Sequence, residues 1–267
     1  MYGGHENSNT QESEEHRTLK ATVIIPARYD STRLPGKPIL EVAREVTGKY
    51  IVQHVYERAA QAPSADEVIV ATDDERVFAV VEGFGGKACM TSRSHRNGTE
   101  RIAEVARRLD TPIVVNVQGD EPQIEPDQVE QVIQLLAEDE SAVMGTLAYV
   151  IDREETLRDP NAVKVVVDDH GYALYFSRSP IPFVRDSDDW LRDTPSPHLR
   201  HLGIYSYRRQ FLLDYVAMPP APIEKAEKLE QLRALSAGYK IKVGLTEYRC
   251  IGIDTPADLD RWLSLYR

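Results

Sequence analysis

Val23-Ile24-Ile25-Pro26-Ala27-Arg28-Tyr29-Asp30-Ser31-Thr32-Arg33-Leu34-Pro35-Gly36-Lys37-Pro38 runs an apolar strand straight into a loop with three strong cationic donors. Arg28 and Arg33 can fork onto phosphate oxygens, and Lys37 adds a mobile point charge. Gly36 lets backbone approach a ligand closely, and three prolines stiffen the path. A strand needs no such loop in order to fold. The loop leaves the C-terminal end of the first strand, the edge where open α/β sheets bind ligands. An anionic ligand, a nucleoside triphosphate foremost, accounts for it.

Outward from this stretch the chain alternates strands and helices. A strand over Ala21–Pro26 precedes a helix over Tyr50–Gln61, with Ile51, Val55 and Ala59 on one face. Glu67–Ala71 is a second strand, and Thr72-Asp73-Asp74 offers an N-cap for a helix over Glu75–Glu82. A short strand at Lys87–Met90 and a helix over Thr99–Leu109 follow. Ile113–Val117 is a strongly apolar strand ending at Gln118-Gly119-Asp120-Glu121-Pro122, before a helix over Asp127–Ala137. This βαβα order predicts a parallel sheet with right-handed crossovers.

The second half changes texture. Ala142–Val150, Ala162–Val167, Ala173–Phe176 and Gly203–Tyr207 read as strands, parted by Pro- and Asp-rich loops such as Asp186–Pro197. Helices are expected over Arg208–Val216 and Glu224–Ala237, a strand near Ile241–Thr246, and a last helix over Pro256–Leu265 with proline near its first position. The expected fold is therefore α/β: a three-layer, doubly wound, mostly parallel sheet with a mixed-sheet subdomain. Residues 1–19 are read as a disordered tail. Residues 20–267 form one domain, about 20–140 being its nucleotide-binding half and about 141–267 its acceptor-binding and dimerisation half.

The whole chain narrows the function. With 267 residues, 42% hydrophobic and 28% charged, it suits one large soluble domain. A net charge of −11 argues against a nucleic-acid partner, which calls for a basic face. It also sets the cluster of Arg28, Arg33 and Lys37 apart, since a cationic pocket in an acidic protein focuses an anionic substrate. Cys89 and Cys250 form no CxxC pair, so they read as two buried free thiols in a reducing cytoplasm rather than a zinc site. No run of about 20 apolar residues predicts a membrane span, and Met1–Arg17 lacks the apolar region of a secretion signal.

Two phosphate motifs fail. Gly36-Lys37 is followed by Pro38, which lacks the hydroxyl that a P-loop requires. Gly83-Phe84-Gly85-Gly86-Lys87-Ala88 follows a helix and precedes a strand, the reverse of a dinucleotide fingerprint, so it reads as a helix C-cap and turn. Asp120, ending a strand at the ligand edge, is placed to hold Mg²⁺ against phosphate oxygens, with a turn or capping role as the alternative. Asp254, just before a helix, reads by itself as an N-cap.

These segments resemble the sugar nucleotidyltransferases, and in detail the cytidylyltransferases that activate 3-deoxy-manno-octulosonate (Kdo), an eight-carbon ulosonic acid. The likeness runs on through Val70–Asp74, Gly98–Arg101, Asn116–Pro122, Asn161–Val166, Ala173–Arg178, Arg200–Tyr205, Leu229–Arg233 and Gly252–Pro256, covering about residues 20–267. It implies transfer of CMP from CTP to the anomeric hydroxyl of Kdo with Mg²⁺ as cofactor, for lipopolysaccharide or related surface glycan synthesis. An 8-amino-Kdo or sialic-acid-like acceptor, or a degenerate nucleotide-binding protein, are the alternatives. A homodimer in the cytoplasm is expected, with no nucleic acid or membrane partner. The resemblance implies Arg28 and Lys37 on the triphosphate, and Asp120 and Asp254 on the metal. It implies Thr72, Asp73, Asn97, Gly98 and Gln118 around the nucleotide. For the sugar acid it implies Gln118, Arg178, His201, Tyr205, Glu230 and Gln231. Taken alone, His201 reads equally as a satisfied strand histidine and Glu230 as a surface carboxylate on a helix. Two departures stand out: Asn97 where the family usually has Ser, and Gly48-Lys49-Tyr50 where it usually has Gly-Lys-Pro, after a longer Glu41–Thr47 stretch.

Overall fold

A computed structural model describes residues 20–30, 34–186, 196–249 and 252–267. Arg33, Cys250 and residues 1–19 lie outside them, so the readings of a third loop cation, a second thiol and a tail stay at the level of sequence.

Strand β1 (Ala21–Pro26) is buried on both faces, as its unbroken apolar run requires. Its alternation divides the core: Val23 and Ile25 face one side of the sheet, and Ile24 the other. The chain continues through a 3-10 turn (Lys37–Ile39), α1 (Glu41–Thr47), α2 (Ile51–Ala59), β2 (Ala65–Thr72), α3 (Glu75–Gly83), β3 (Ala88–Met90), α4 (Gly98–Ala106), β4 (Ile113–Asn116) and α5 (Pro126–Ala137). The second half adds β5 (Met144–Val150), α6 (Glu154–Arg158), β6 (Lys164–Val167), β7 (Ala173–Ser177) and β8 (Leu199–Arg208). It closes with α7 (Arg209–Tyr215), α8 (Pro222–Glu227), α9 (Leu232–Ser236), β9 (Ile241–Leu245) and α10 (Pro256–Leu263).

Among the described residues the sheet order is β3-β2-β1-β4-β8-β5-β9, and β6 pairs with β7 and with β8. β1, β2, β3 and β4 are mutually parallel, β8 runs antiparallel to β4 and β5, and β5 is parallel to β9. Helices α2, α3 and α5 cover one face, and α4, α7 and α9 the other. The result is the expected three-layer, mostly parallel sheet with a mixed second half.

The Gly83–Ala88 motif is a helix terminator: Gly85 and Gly86 donate back to Glu82 and Val81 carbonyls, with Gly85 at φ 80°. Three expectations need correction, and one departure from the family gains a structure. The single helix over Glu224–Ala237 is two, because Lys228 adopts a left-handed backbone (φ 53°) and ends α8. The strand expected at Gly203–Tyr207 begins at Leu199, because Leu199 and Arg200 also pair with β6. The longer stretch after the signature folds as α1, ended by Gly48 at φ 79°. Cys89 is partly exposed on β3 rather than buried.

Candidate active site

Two segments bring the site together at the C-terminal edge of β1 and β4. The loop after β1 turns back on itself, Gly36 N–H donating to the Tyr29 carbonyl (2.8 Å) with Gly36 at φ 71°. That left-handed geometry favours glycine. After β4, the turn Gln118–Glu121 packs under β1. A Cβ on Gly119 would stand 2.8 Å from the Pro26 carbonyl oxygen, so only glycine fits without displacing backbone. The segment before α10 is tied to this turn by Ile253 N–H donating to the Asp120 carbonyl (2.9 Å).

These contacts converge on Lys37. Its ammonium donates to Asp120 Oδ2 (2.5 Å) and Asp254 Oδ1 (3.3 Å). The N-cap of α10 is Thr255, whose hydroxyl accepts from Asp258 N–H and whose own N–H is held by the Asp258 carboxylate. The cap suspected at Asp254 thus belongs to its neighbour, and one Asp254 oxygen faces Lys37. Among the described residues no cluster of three His, Cys, Asp or Glu could hold a metal. Two adjacent carboxylates suit Mg²⁺, which binds through one or two carboxylates and completes its shell with water and substrate phosphates.

Two cavities meet here. The first, about 440 Å³, is lined by Arg28, Asp30, Lys37, Gly98 and the Gln118–Asp120 turn, with Asp254. The second, about 760 Å³, runs from Gln118, Asp120 and Asp254 toward His201, Tyr205 and Gln231. Gln118, Asp120 and Asp254 belong to both walls. Gln118 Nε2 also donates to the Gly203 carbonyl of β8 (3.3 Å).

The remaining nucleotide candidates divide. Arg28 lines the first cavity while its guanidinium donates to the His95 carbonyl. Asp73 lines an adjoining recess with Arg28, Tyr29, Asp74, Arg76 and Arg93, and its Oδ2 accepts from buried Arg101 (2.7 Å). Thr72 is buried: its hydroxyl accepts from Asp74 N–H and its carbonyl from Thr91. Asn97 caps α4, its Oδ1 accepting from Glu100 N–H (2.9 Å). Neither Thr72 nor Asn97 reaches a cavity wall through the contacts described.

On the acceptor side, His201 Nε2 lies 3.0 Å from Thr146 Oγ1, and burial pushes its pKa down to about 3, with Arg200 adding to the effect. The ring is neutral at neutral pH. Burial raises Tyr205 well above the usual phenol range. Glu230 sits in the break between α8 and α9, not on a helix surface. Its carboxylate accepts from Thr99 Oγ1 (2.9 Å), and burial raises its pKa. Gln231 is buried on the wall of the second cavity and of a smaller one beside it. Arg178 does not join them. Its guanidinium donates to the carbonyls of Glu227 and Pro160, both at 2.8 Å.

Glu121 and Arg200 are among the wall residues of the second cavity that lie inside the motifs without a role there. Burial, then the neighbouring Asp120 carboxylate, raises Glu121 to about 8 against the opposing pull of Arg200. A glutamate beside a metal-ligand aspartate and an arginine beside a binding histidine were the available signals.

A cation-lined cavity and a larger polar one, sharing a carboxylate wall at a sheet's ligand edge, fit a nucleotidyltransferase. The cytidylyltransferase family profile matches residues 22–241. The 3-deoxy-manno-octulosonate cytidylyltransferase of Geotalea uraniireducens is 54% identical, over 92% of this chain and 98% of its own length. The enzyme of that name from Aliivibrio fischeri is 53% identical, over 91% and 97%. A solved CMP:2-keto-3-deoxy-manno-octonic acid synthetase in complex with CTP is 44% identical, with a TM-score of 0.85 over 92% of this chain and 98% of that one. A 4-diphosphocytidyl-2C-methyl-D-erythritol synthase from Anaerococcus prevotii, 16% identical with a TM-score of 0.61 over 94% and 97%, shares the fold. The chain belongs to the cytidylyltransferase family and, within it, to the 3-deoxy-manno-octulosonate cytidylyltransferases.

Proposed function

We infer that the chain transfers CMP from CTP to the anomeric hydroxyl of Kdo, releasing pyrophosphate and yielding CMP-Kdo for lipopolysaccharide or related surface glycan synthesis. The observation that carries this is the shared wall of the two cavities. Gln118, Asp120 and Asp254 stand between a phosphate-binding loop and a larger polar cavity, where an α-phosphate would meet its acceptor. In the reaction the acceptor hydroxyl oxygen bonds to the α-phosphorus, and the bond from that phosphorus to the bridging oxygen breaks. The electron pair leaves with pyrophosphate, and the hydroxyl proton passes to solvent.

Arg28 and Lys37 neutralise the triphosphate and the departing pyrophosphate. Both lie on the first cavity's wall, and neither forms a covalent intermediate, so catalysis is positioning plus electrostatic stabilisation. Asp120 and Asp254 would hold Mg²⁺. When bound, the ion supplies charge neutralisation across the α-phosphate and leaving group. Thr72, Asp73, Asn97 and Gly98 shape the base and ribose side, Thr72 and Asn97 through the backbone they hold. Gln118 orients both substrates. His201, Tyr205, Glu230 and Gln231 receive the sugar acid, with Arg178 bracing the segment before Glu230. No helix among the described residues is long and apolar enough to cross a membrane. A cytoplasmic homodimer is the assembly we propose. The test is pyrophosphate release with CTP, Mg²⁺ and Kdo, with UTP, ATP, 8-amino-Kdo and a sialic acid as controls. Turnover confined to another nucleotide or acceptor would overturn the assignment.

A further inference from the structure

The sugar acid brings a carboxylate into a cavity whose wall already carries Asp120, Glu121 and Asp254. A cation must meet it there. Arg178 is occupied by the Pro160 and Glu227 carbonyls; Arg261 also lines this wall but is exposed on α10, where solvent screens its charge more than that of half-buried Arg200. His201 is neutral and engaged with Thr146. Arg200 remains. It is half-buried on the wall, and its Nη1 donates to Tyr149 Oη (2.9 Å), fixing one edge of the fork. Among the described residues nothing accepts from the rest of its guanidinium. An arginine with one edge anchored and one free suits a planar carboxylate.

Glu121 completes the pattern. Its carboxylate has no hydrogen-bond or ion-pair partner among the described residues. Gly203 and Gly252 lie against it: a Cβ on Gly203 would sit 3.4 Å from Oε1 and one on Gly252 3.9 Å from Cγ. An unpaired carboxyl group hemmed in by protein at a cavity wall is costly unless a ligand hydrogen-bonds to it. A polyhydroxylated acceptor offers such donors.

We propose that Arg200 anchors the acceptor's carboxylate and that Glu121 accepts from one of its hydroxyls, the two together setting acceptor specificity and orientation. This rests on the functional reading above. The test is steady-state pyrophosphate release by the full-length chain, with CTP and either Kdo or Kdo methyl ester, which lacks the negative charge. The parent chain should prefer the acid. Arg200→Ala should raise the KM for Kdo on the order of 10- to 100-fold, leave the KM for CTP in place and erase the acid-over-ester preference. Arg200→Lys should keep part of that preference. Glu121→Ala, which removes the acceptor, should raise the KM for Kdo roughly tenfold and preserve the preference. An Arg200→Ala variant that still favours the acid as the parent does would place the carboxylate elsewhere. An unchanged KM for Kdo in Glu121→Ala would remove the hydroxyl contact. Should Arg200→Ala lose CTP binding by calorimetry, and so its fold, the preference of Arg200→Lys decides: parental overturns, weakened supports. A parent chain inert toward Kdo would instead sink the functional reading and this assignment with it.

Discussion

Lys37 occupies the position between Asp120 and Asp254 where a divalent cation would have to compete with it, which gives Lys37→Met an unusual expected phenotype. At an effective dielectric of about 20, unit charges about 4 Å apart interact by about 4 kcal/mol. Asp254 is 49% exposed and Asp120 27%, so solvent screening cuts this sharply. A net of about 1–2 kcal/mol remains for a metal to overcome, or roughly 5- to 30-fold in affinity. Without nucleotide, Lys37→Met should therefore bind Mn²⁺ more tightly than the parent by about that factor. An electron paramagnetic resonance titration of free Mn²⁺ would measure it. Turnover should nonetheless fall at least a hundredfold, because the triphosphate loses a buried cationic donor. Equal or weaker Mn²⁺ binding in the variant would refute the competition. Undiminished turnover would remove Lys37 from the triphosphate.

Asp120→Asn should lose about 3–5 kcal/mol of transition-state stabilisation with its circular dichroism intact, and unaltered turnover would end the metal assignment. Asp73→Asn should destabilise the fold by about 2–3 kcal/mol in urea, because fully buried Arg101 loses its carboxylate partner. Unchanged stability with weaker CTP binding would make Asp73 a ligand residue alone. His201 titrates near 3 in the folded chain against about 6.5 unfolded. The unfolded state thus binds the extra proton between those values, and stability falls as pH drops through that window by up to about 1.4 kcal/mol per unit. Unfolding free energies of the parent and His201→Gln from pH 7 to 4 should converge toward low pH, and parallel curves would contradict a buried neutral ring.

What could be read from sequence was what neighbouring residues determine. The unbroken apolar run of β1, the Gly36 turn and the Gly83–Gly86 terminator each follow from local chemistry. The break at Lys228 does not: a lysine has no intrinsic liking for φ 53°, and buried Leu229 and Leu232 on the far side of it are packed in the core with α4 and α7. Glu230 consequently looked like a helix-surface carboxylate, whereas tertiary packing buries it against Thr99. Asp254 was ambiguous for a different reason. Asp-Thr-Pro before a helix offers two possible caps, and only the position of Asp258 decides for Thr255. Arg200 and Glu121 lie inside the motifs without a role there, because their sharing one cavity wall depends on β8 crossing beside the Asp120 turn.

The chain separation within the site explains why its residue types alone were insufficient evidence. Lys37 meets Asp120 across 83 residues and Asp254 across 217. One apolar cluster bridges the longer gap. Leu34 and Leu40 flank the lysine loop, Ile253 precedes Asp254, and all three pack with Ala43 of α1 and with Leu259 and Trp262 of α10. The helix formed by the extra stretch after the signature therefore helps to seat both arms of the carboxylate–lysine contact, although it contributes no group to either cavity. Burial of apolar surface is non-directional, so this cluster can hold the arms together but cannot aim them. The aiming comes from directional contacts: Gly36 N–H on Tyr29, Ile253 N–H on Asp120, and the Thr255–Asp258 cap that leaves the Asp254 carboxylate turned toward Lys37.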